Sequence, residues 1–169
     1  IANTKTLKKN NEVSYYVSTT GSDNNTGSKD NPYKTIQYAI DKTTTNNTYN
    51  IFIKSGNYTG VGNTNLTVNG NHKINFIGEG INKTTLDGEA NYVIDPNPGY
   101  VWESSKIWWP YINATGNYGM TITKGNGHIS IYNLSIAHMW SPGGSSISAY
   151  PHATIDNYGN LSINSVEFH

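Results

Sequence analysis

Apolar side chains fall along this chain in bursts of three to five residues, each bounded by glycine, asparagine or threonine turns. "YNIFIKSGNY", "NLTVNG", "KINFIGEG" and "TTLDG" follow one another closely. "GMTITKGNG", "HISIYNLSI", "SSISAY", "ATIDNYGN" and "LSINSVEF" come later. Within the bursts apolar and polar positions alternate, the period of a strand with one buried face. Near the start, "VSYYVS" alternates Val13, Tyr15 and Val17 against Ser14, Tyr16 and Ser18, which predicts a first strand. Only "DNPYKTIQYAI" breaks the two-residue period. Tyr33, Ile36 and Ile40 share one helical face, Asn31 suits an N-cap and Pro32 a first turn, and "TTTNNT" ends the run. The spacing predicts a helix of about three turns, too short to stand alone and therefore laid against something.

Bursts this short do not make a sandwich of ordinary hairpins. They have the size of the faces of a right-handed parallel β-helix, where each coil lays a short strand beside its counterpart in the coil before. A weak internal repeat agrees. "ISIYNLSIAH" (129–138) aligns with "LSINSVEFH" (161–169), placing Ile129 on Leu161, Ile131 on Ile163, Leu134 on Val166 and Ile136 on Phe168. The helix then has a purpose. The first coil of such a stack exposes an apolar cross-section and unpaired strand edges, and Tyr33, Ile36 and Ile40 are the expected plug.

Composition fits an all-β chain rich in turns. There are 169 residues, thirteen tyrosines and four tryptophans, and little charge. Net charge is zero, so nothing draws the chain to nucleic acid, and no segment is apolar and long enough to insert in a membrane. Cysteine is absent, which removes disulfides and thiolate chemistry. All eleven basic residues are lysine. Asn-X-Ser/Thr triplets at Asn24, Asn46, Asn57, Asn65, Asn82, Asn113, Asn133 and Asn160 permit glycosylation at a cell surface.

"YYVSTTGSDNNTGSKDNPYKTIQYAI" followed by "NIFIKSGNYTG" resembles the entry segment of right-handed parallel β-helix proteins of the pectin-lyase-like superfamily. The matching positions are Val17 to Asp23, then Gly27 through Pro32, Tyr33, Thr35, Ile36 and Ala39, then Ile53, Gly56 and Tyr58. "INFIGEG" and "TTLDG" are similar to that family's first coils. "NYGNLSINSVEF" is similar to the repeating coils of large surface adhesin-like proteins of bacteria and methanogenic archaea. The superfamily holds lyases, hydrolases, esterases and non-catalytic adhesins, so resemblance in fold does not carry activity.

The residues themselves argue against catalysis. Lyases and methylesterases of this fold use an arginine, or a lysine beside calcium; this chain has no arginine, and its lysines show no pairing with an acidic cluster. Its galacturonan hydrolases use grouped aspartates, whereas Asp23, Asp30, Asp41, Asp87, Asp95 and Asp156 are scattered. "DNNTGSKD" (23–30) has oxygen ligands at alternating positions but lacks the order of a calcium loop, and reads as a turn that satisfies its own backbone. No metal and no cofactor is expected.

The anomaly is residues 91–118, which interrupt the coil rhythm and hold Tyr100, Trp102, Trp108, Trp109 and Tyr111. Trp140 follows in "HMWSPGG". Aromatic faces stack on sugars and dominate protein interfaces, so these six residues form the candidate ligand site; packing of the rings on the flank of the stack is the competing reading.

The organisation expected is therefore a leader (1–12) and a β-helix domain (13–169). The domain divides into a cap (13–48) and coils (49–169), with the aromatic insertion at 91–118. Because the chain starts at Ile1 and ends inside a coil, it is expected to be a piece that continues into further coils, or to stack on copies of itself. The function expected from the resemblance is a non-catalytic, extracellular adhesin-like module binding a glycan or a surface protein. The alternatives are a polysaccharide-active enzyme and a filament subunit joined end to end or by strand complementation.

Overall fold

The computed structural model describes residues 11–89, 91–94, 112–115, 119–139 and 155–168. In chain order the elements are β1 (Glu12–Val17), α1 (Ile36–Asp41), β2 (Thr48–Ile53), β3 (Gly56–Tyr58), β4 (Leu66–Val68), β5 (Lys73–Gly78) and β6 (Thr84–Asp87). There follow β7 (Asn91–Ile94), β8 (Ile112–Thr115), β9 (Met120–Ile122), β10 (His128–Ala137), β11 (Ile155–Asn157) and β12 (Leu161–Phe168). The chain is all-β apart from one short helix, and its main sheets are parallel.

Two stacks carry the fold. In one, β1, β2, β5 and β10 lie side by side, with β12 beyond β10. The second half of β10 also pairs with β6, and β6 with β3. In the other stack β9 sits between β4 and β11. The internal repeat is borne out residue by residue, with Ile129 beside Leu161, Ile131 beside Ile163, Leu134 beside Val166 and Ile136 beside Phe168.

Alternation decides what faces inward. β2 and β5 bury every second residue, so Tyr49, Ile51 and Ile53 stand beside Ile74, Phe76 and Gly78 in one core. Phe76 and Leu86 of the larger sheet meet Met120 and Ile155 of the smaller around a void of only about 10 Å³. Burying one such side chain stabilises by roughly 1.5–3 kcal/mol. β10 covers two sides of the core because it bends at Asn133, whose φ of +53° is a left-handed conformation that asparagine tolerates better than most residues. Ser165 repeats the bend in β12 at φ +53°.

The helix differs from expectation. It has six residues, its N-cap is Thr35 rather than Asn31, and Pro32 lies outside it. Tyr33 is held in an extended bridge to Val17, which keeps the chain out of helix until residue 36. Asp23 then organises the start: its carboxylate accepts from the Lys34 and Thr35 amides (both 2.9 Å) and from the Thr35 hydroxyl (2.9 Å). The plug residues are nonetheless buried, Tyr33, Ile36 and Ile40 among them. Tyr15, Tyr33, Tyr38 and Tyr49 form a ring cluster there, with centroids 5.0 to 5.8 Å apart.

Candidate functional site

The six aromatic residues that the sequence singles out, Tyr100, Trp102, Trp108, Trp109, Tyr111 and Trp140, lie outside the described residues. The structure does describe the base that carries the first five. β7 and β8 pair antiparallel, with Asn91 opposite Thr115 and Ile94 opposite Ile112. Every other pair of named strands among the described residues is parallel. Ile94 and Ile112 therefore lie side by side, with β7 and β8 falling between β6 and β9 in the chain. The sequence pattern marked the interruption but not this pair of strands.

Several acidic residues are fastened to the scaffold. Asp23 holds the helix start. Glu79 accepts from the Ser55 hydroxyl (2.6 Å) and amide (2.8 Å), bonds that keep its carboxyl below the usual range. Asp87 accepts from the Glu89 amide (2.9 Å), His138 Nδ1 (3.0 Å) and the Asn57 amide (3.2 Å). Partial burial pushes the Asp87 carboxyl up, but the Glu89 amide, Asn57 and His138 together outweigh it and leave it below its ordinary value. Asp87 thus links β3, β6 and the residue after β10. Among the described residues no three His, Asp or Glu side chains gather as metal ligands.

A cleft of about 550 Å³ opens between α1 and the turns that follow β4 and β9. Gln37 joins helix to strand, accepting from the Thr67 amide (2.9 Å) and donating to Thr67 O (3.2 Å) and to Asp41 Oδ1 (2.8 Å). On the floor, the Thr43 hydroxyl donates to Ile40 O (2.7 Å), so its oxygen accepts from His72 Nδ1 2.6 Å away. That arrangement puts the ring proton on Nδ1 and leaves Nε2 a lone pair. Burial holds the His72 pKa below its usual value, so the ring is neutral near pH 7.

The far wall is built by a close approach of two turns. Gly70 packs so tightly on Thr123 that a Cβ would collide with the Thr123 carbonyl. Its amide donates to Thr123 Oγ1 (3.1 Å). The Asn69 and Asn71 side-chain oxygens accept the Asn71 amide (3.0 Å) and the Asn126 amide (3.1 Å). Each Nδ2 group is left without an acceptor among the described residues. Asn69, Asn71, His72 and Thr123 are not among the residues that the sequence singles out. The recurrence of "NGNH" and "KGNGH" was the available signal.

Comparison with known families places this scaffold. The model of DUF1565, described as a protein of unknown function, matches residues 19–108. The chain belongs to that family. The match takes in the loop that holds α1, the helix itself and β2 to β7; the Thr123 side of the cleft lies beyond it. No curated protein and no solved structure matches the chain. Among the described residues no helix is long and apolar enough to cross a membrane.

Proposed function

We propose that this member of DUF1565 is a non-catalytic, adhesin-like module of the cell exterior, built as a right-handed parallel β-helix, that presents its aromatic segment to a glycan or a surface protein. The coiled architecture is supported by the parallel registers, in which β2, β5, β10 and β12 succeed one another and β4, β9 and β11 do the same on another side. The observation that carries the display role is the antiparallel β7–β8 base, the one departure from parallel pairing among the described strands. In sequence Tyr100, Trp102, Trp108, Trp109 and Tyr111 fall between these two paired strands, and Trp140 falls three residues past β10.

The acidic groups support a passive role. Asp23, Glu79 and Asp87 make bonds that hold loops and strands together, and Asp87 and Glu79 favour the ionised form. A general acid needs the opposite environment, one that raises its pKa. The ligand is therefore read by ring stacking and neutral hydrogen bonds, with no cofactor.

Trp108→Ala with Trp109→Ala tests the reading. On a printed array of neutral and acidic glycans and on immobilised cell-surface protein, the double variant is expected to lose capture at least tenfold, with its thermal transition within a few degrees of the parent. A double variant that captures every one of these ligands as the parent does, or release of reducing ends or unsaturated products from a polysaccharide, would overturn it.

A further inference from the structure

The cleft beside α1 has a chemistry of its own. Asp41 and Lys124 are its charged residues, one of each sign, and the remaining polar groups are amides, hydroxyls and a neutral imidazole. A site for an acidic ligand concentrates cations, and this chain has no arginine to place there. Asn69 and Asn71, whose Nδ2 donors remain, line the same cleft as His72, whose Nε2 remains as an acceptor. Mixed donors and acceptors without net charge match hydroxyl groups, which both give and take hydrogen bonds. At about 550 Å³ the cleft also lies within the range of ligand sites, roughly 300–1,000 Å³.

An exposed ring follows the neighbouring strand β11. Asn157 pairs with Ile122, and the Tyr158 amide donates to Ile122 O (3.0 Å), which sets Tyr158 beside Thr123 on the next strand, about 4.8 Å along the sheet. Gly159 confirms the closeness, since a Cβ there would come within 3.1 Å of the Thr123 carbonyl. Val68 and Ile122 are buried, whereas Asn69, Thr123 and Tyr158, which directly follow the paired ends of β4, β9 and β11, are exposed. Tyr158 is 69% exposed, whereas Tyr33, Tyr49 and Tyr58 are buried.

We propose that the cleft and Tyr158 together form a binding site for an uncharged oligosaccharide, with one sugar stacked on the Tyr158 ring and its neighbour hydrogen-bonded by Asn69, Asn71 and His72. Rings give the flat apolar contact that a sugar face needs, and planar amides give its direction. The site is separate from residues 95–111 and stands whether or not that segment binds anything.

The test titrates the isotopically labelled chain with uncharged gluco-, manno- and galacto-oligosaccharides and, in parallel, with uronic-acid oligomers. At least one uncharged series is expected to shift the amide resonances of residues 69–72, 123–124 and 158. Tyr158→Ala is expected to weaken it about tenfold. The Trp108→Ala, Trp109→Ala pair should change it less than about twofold. Tyr158 is exposed, so its removal should leave the fold intact, which the unperturbed spectrum checks. The proposal falls if no uncharged oligomer binds, if the uronic acids bind better, or if Tyr158→Ala has no effect. Loss on the tryptophan changes with Tyr158→Ala unaffected would sink the cleft while leaving the adhesin reading in place; the reverse pattern would support the cleft and assign the uncharged oligosaccharide to it rather than to the aromatic segment.

Discussion

Among the described residues the larger sheet ends at β1, β3 and β12, and the margins at β1 and β12 are finished differently. At β1 the chain folds back on its own edge. The Tyr16 amide donates to Gly27 O, the Tyr33 amide to Tyr16 O and the Ser18 amide to Tyr33 O, each at 2.9 Å. Gly27 permits this at φ +75°, where a side chain would strike the Tyr33 ring. Below the loop, Ile36 and Ile40 close the core. At β12 the pairing is to β10 alone. Ile163 is 44% exposed where its neighbour Ile131 is 1% exposed, and Phe168 is 45% exposed where Ile136 is 2%. Two positions of the same apolar repeat are thus core in one strand and surface in the next, while Leu161 and Val166 stay half-buried against the core. An apolar position is buried only when something lies on both sides of its strand, and a covered edge is what keeps a sheet from recruiting foreign strands.

Truncation should separate the margins most sharply. Ile131→Ala is expected to cost about 2–5 kcal/mol in urea denaturation, because it opens a cavity in a packed column. Ile163→Ala, one strand further along the same column, should cost less than about 1 kcal/mol. Equal losses would break the comparison.

Untying the loop should have a middling effect. Asp23→Ala removes three hydrogen bonds at the start of α1 and is expected to cost roughly 1–2 kcal/mol, with Asp23→Asn recovering part of it. Amide exchange at Tyr16 and Ser18 should accelerate with it, since both amides are covered by the loop that Asp23 anchors. Unchanged exchange would mean that the margin is held by Tyr33 and the helix alone.

Acid should have the smallest effect, and away from both margins. The folded Asp87 carboxyl sits below its unfolded value of 3.8, so its contribution is present above that value and is lost as pH falls through the lowered one. The gain is under about 1 kcal/mol for a partly exposed group. Asp87→Asn should flatten the acid limb of the stability curve without changing the Ile131 and Ile163 contrast; a steeper limb would contradict the direction assigned.

Much of the fold was legible in the chain. Alternation in "NIFI" and "INFI" marked the inward residues, and the repeat at 129 and 161 fixed a register that the structure reproduces. The burial of Ile36 and Ile40 followed from their helical spacing. The helix start did not, because Asn31-Pro32 is a good local signal that Asp23 and the Val17–Tyr33 bridge override. The cleft was illegible for a related reason. Asn69, His72 and Thr123 carry no motif, and only the approach of Gly70 to the Thr123 turn, together with the Gln37 link from α1, brings them to one space.

By itself the sequence determined which side of each segment is apolar, where turns fall, that the chain is all-β, and that no arginine or thiol takes part in its chemistry. Tertiary structure alone decided which apolar sides are covered, where α1 begins, and which polar side chains share the cleft. The reason is physical. Side-chain period is a property of neighbouring residues, whereas the bonds from Asp23 to Thr35, Gln37 to Thr67 and Gly70 to Thr123 join positions that only the folded chain brings within reach.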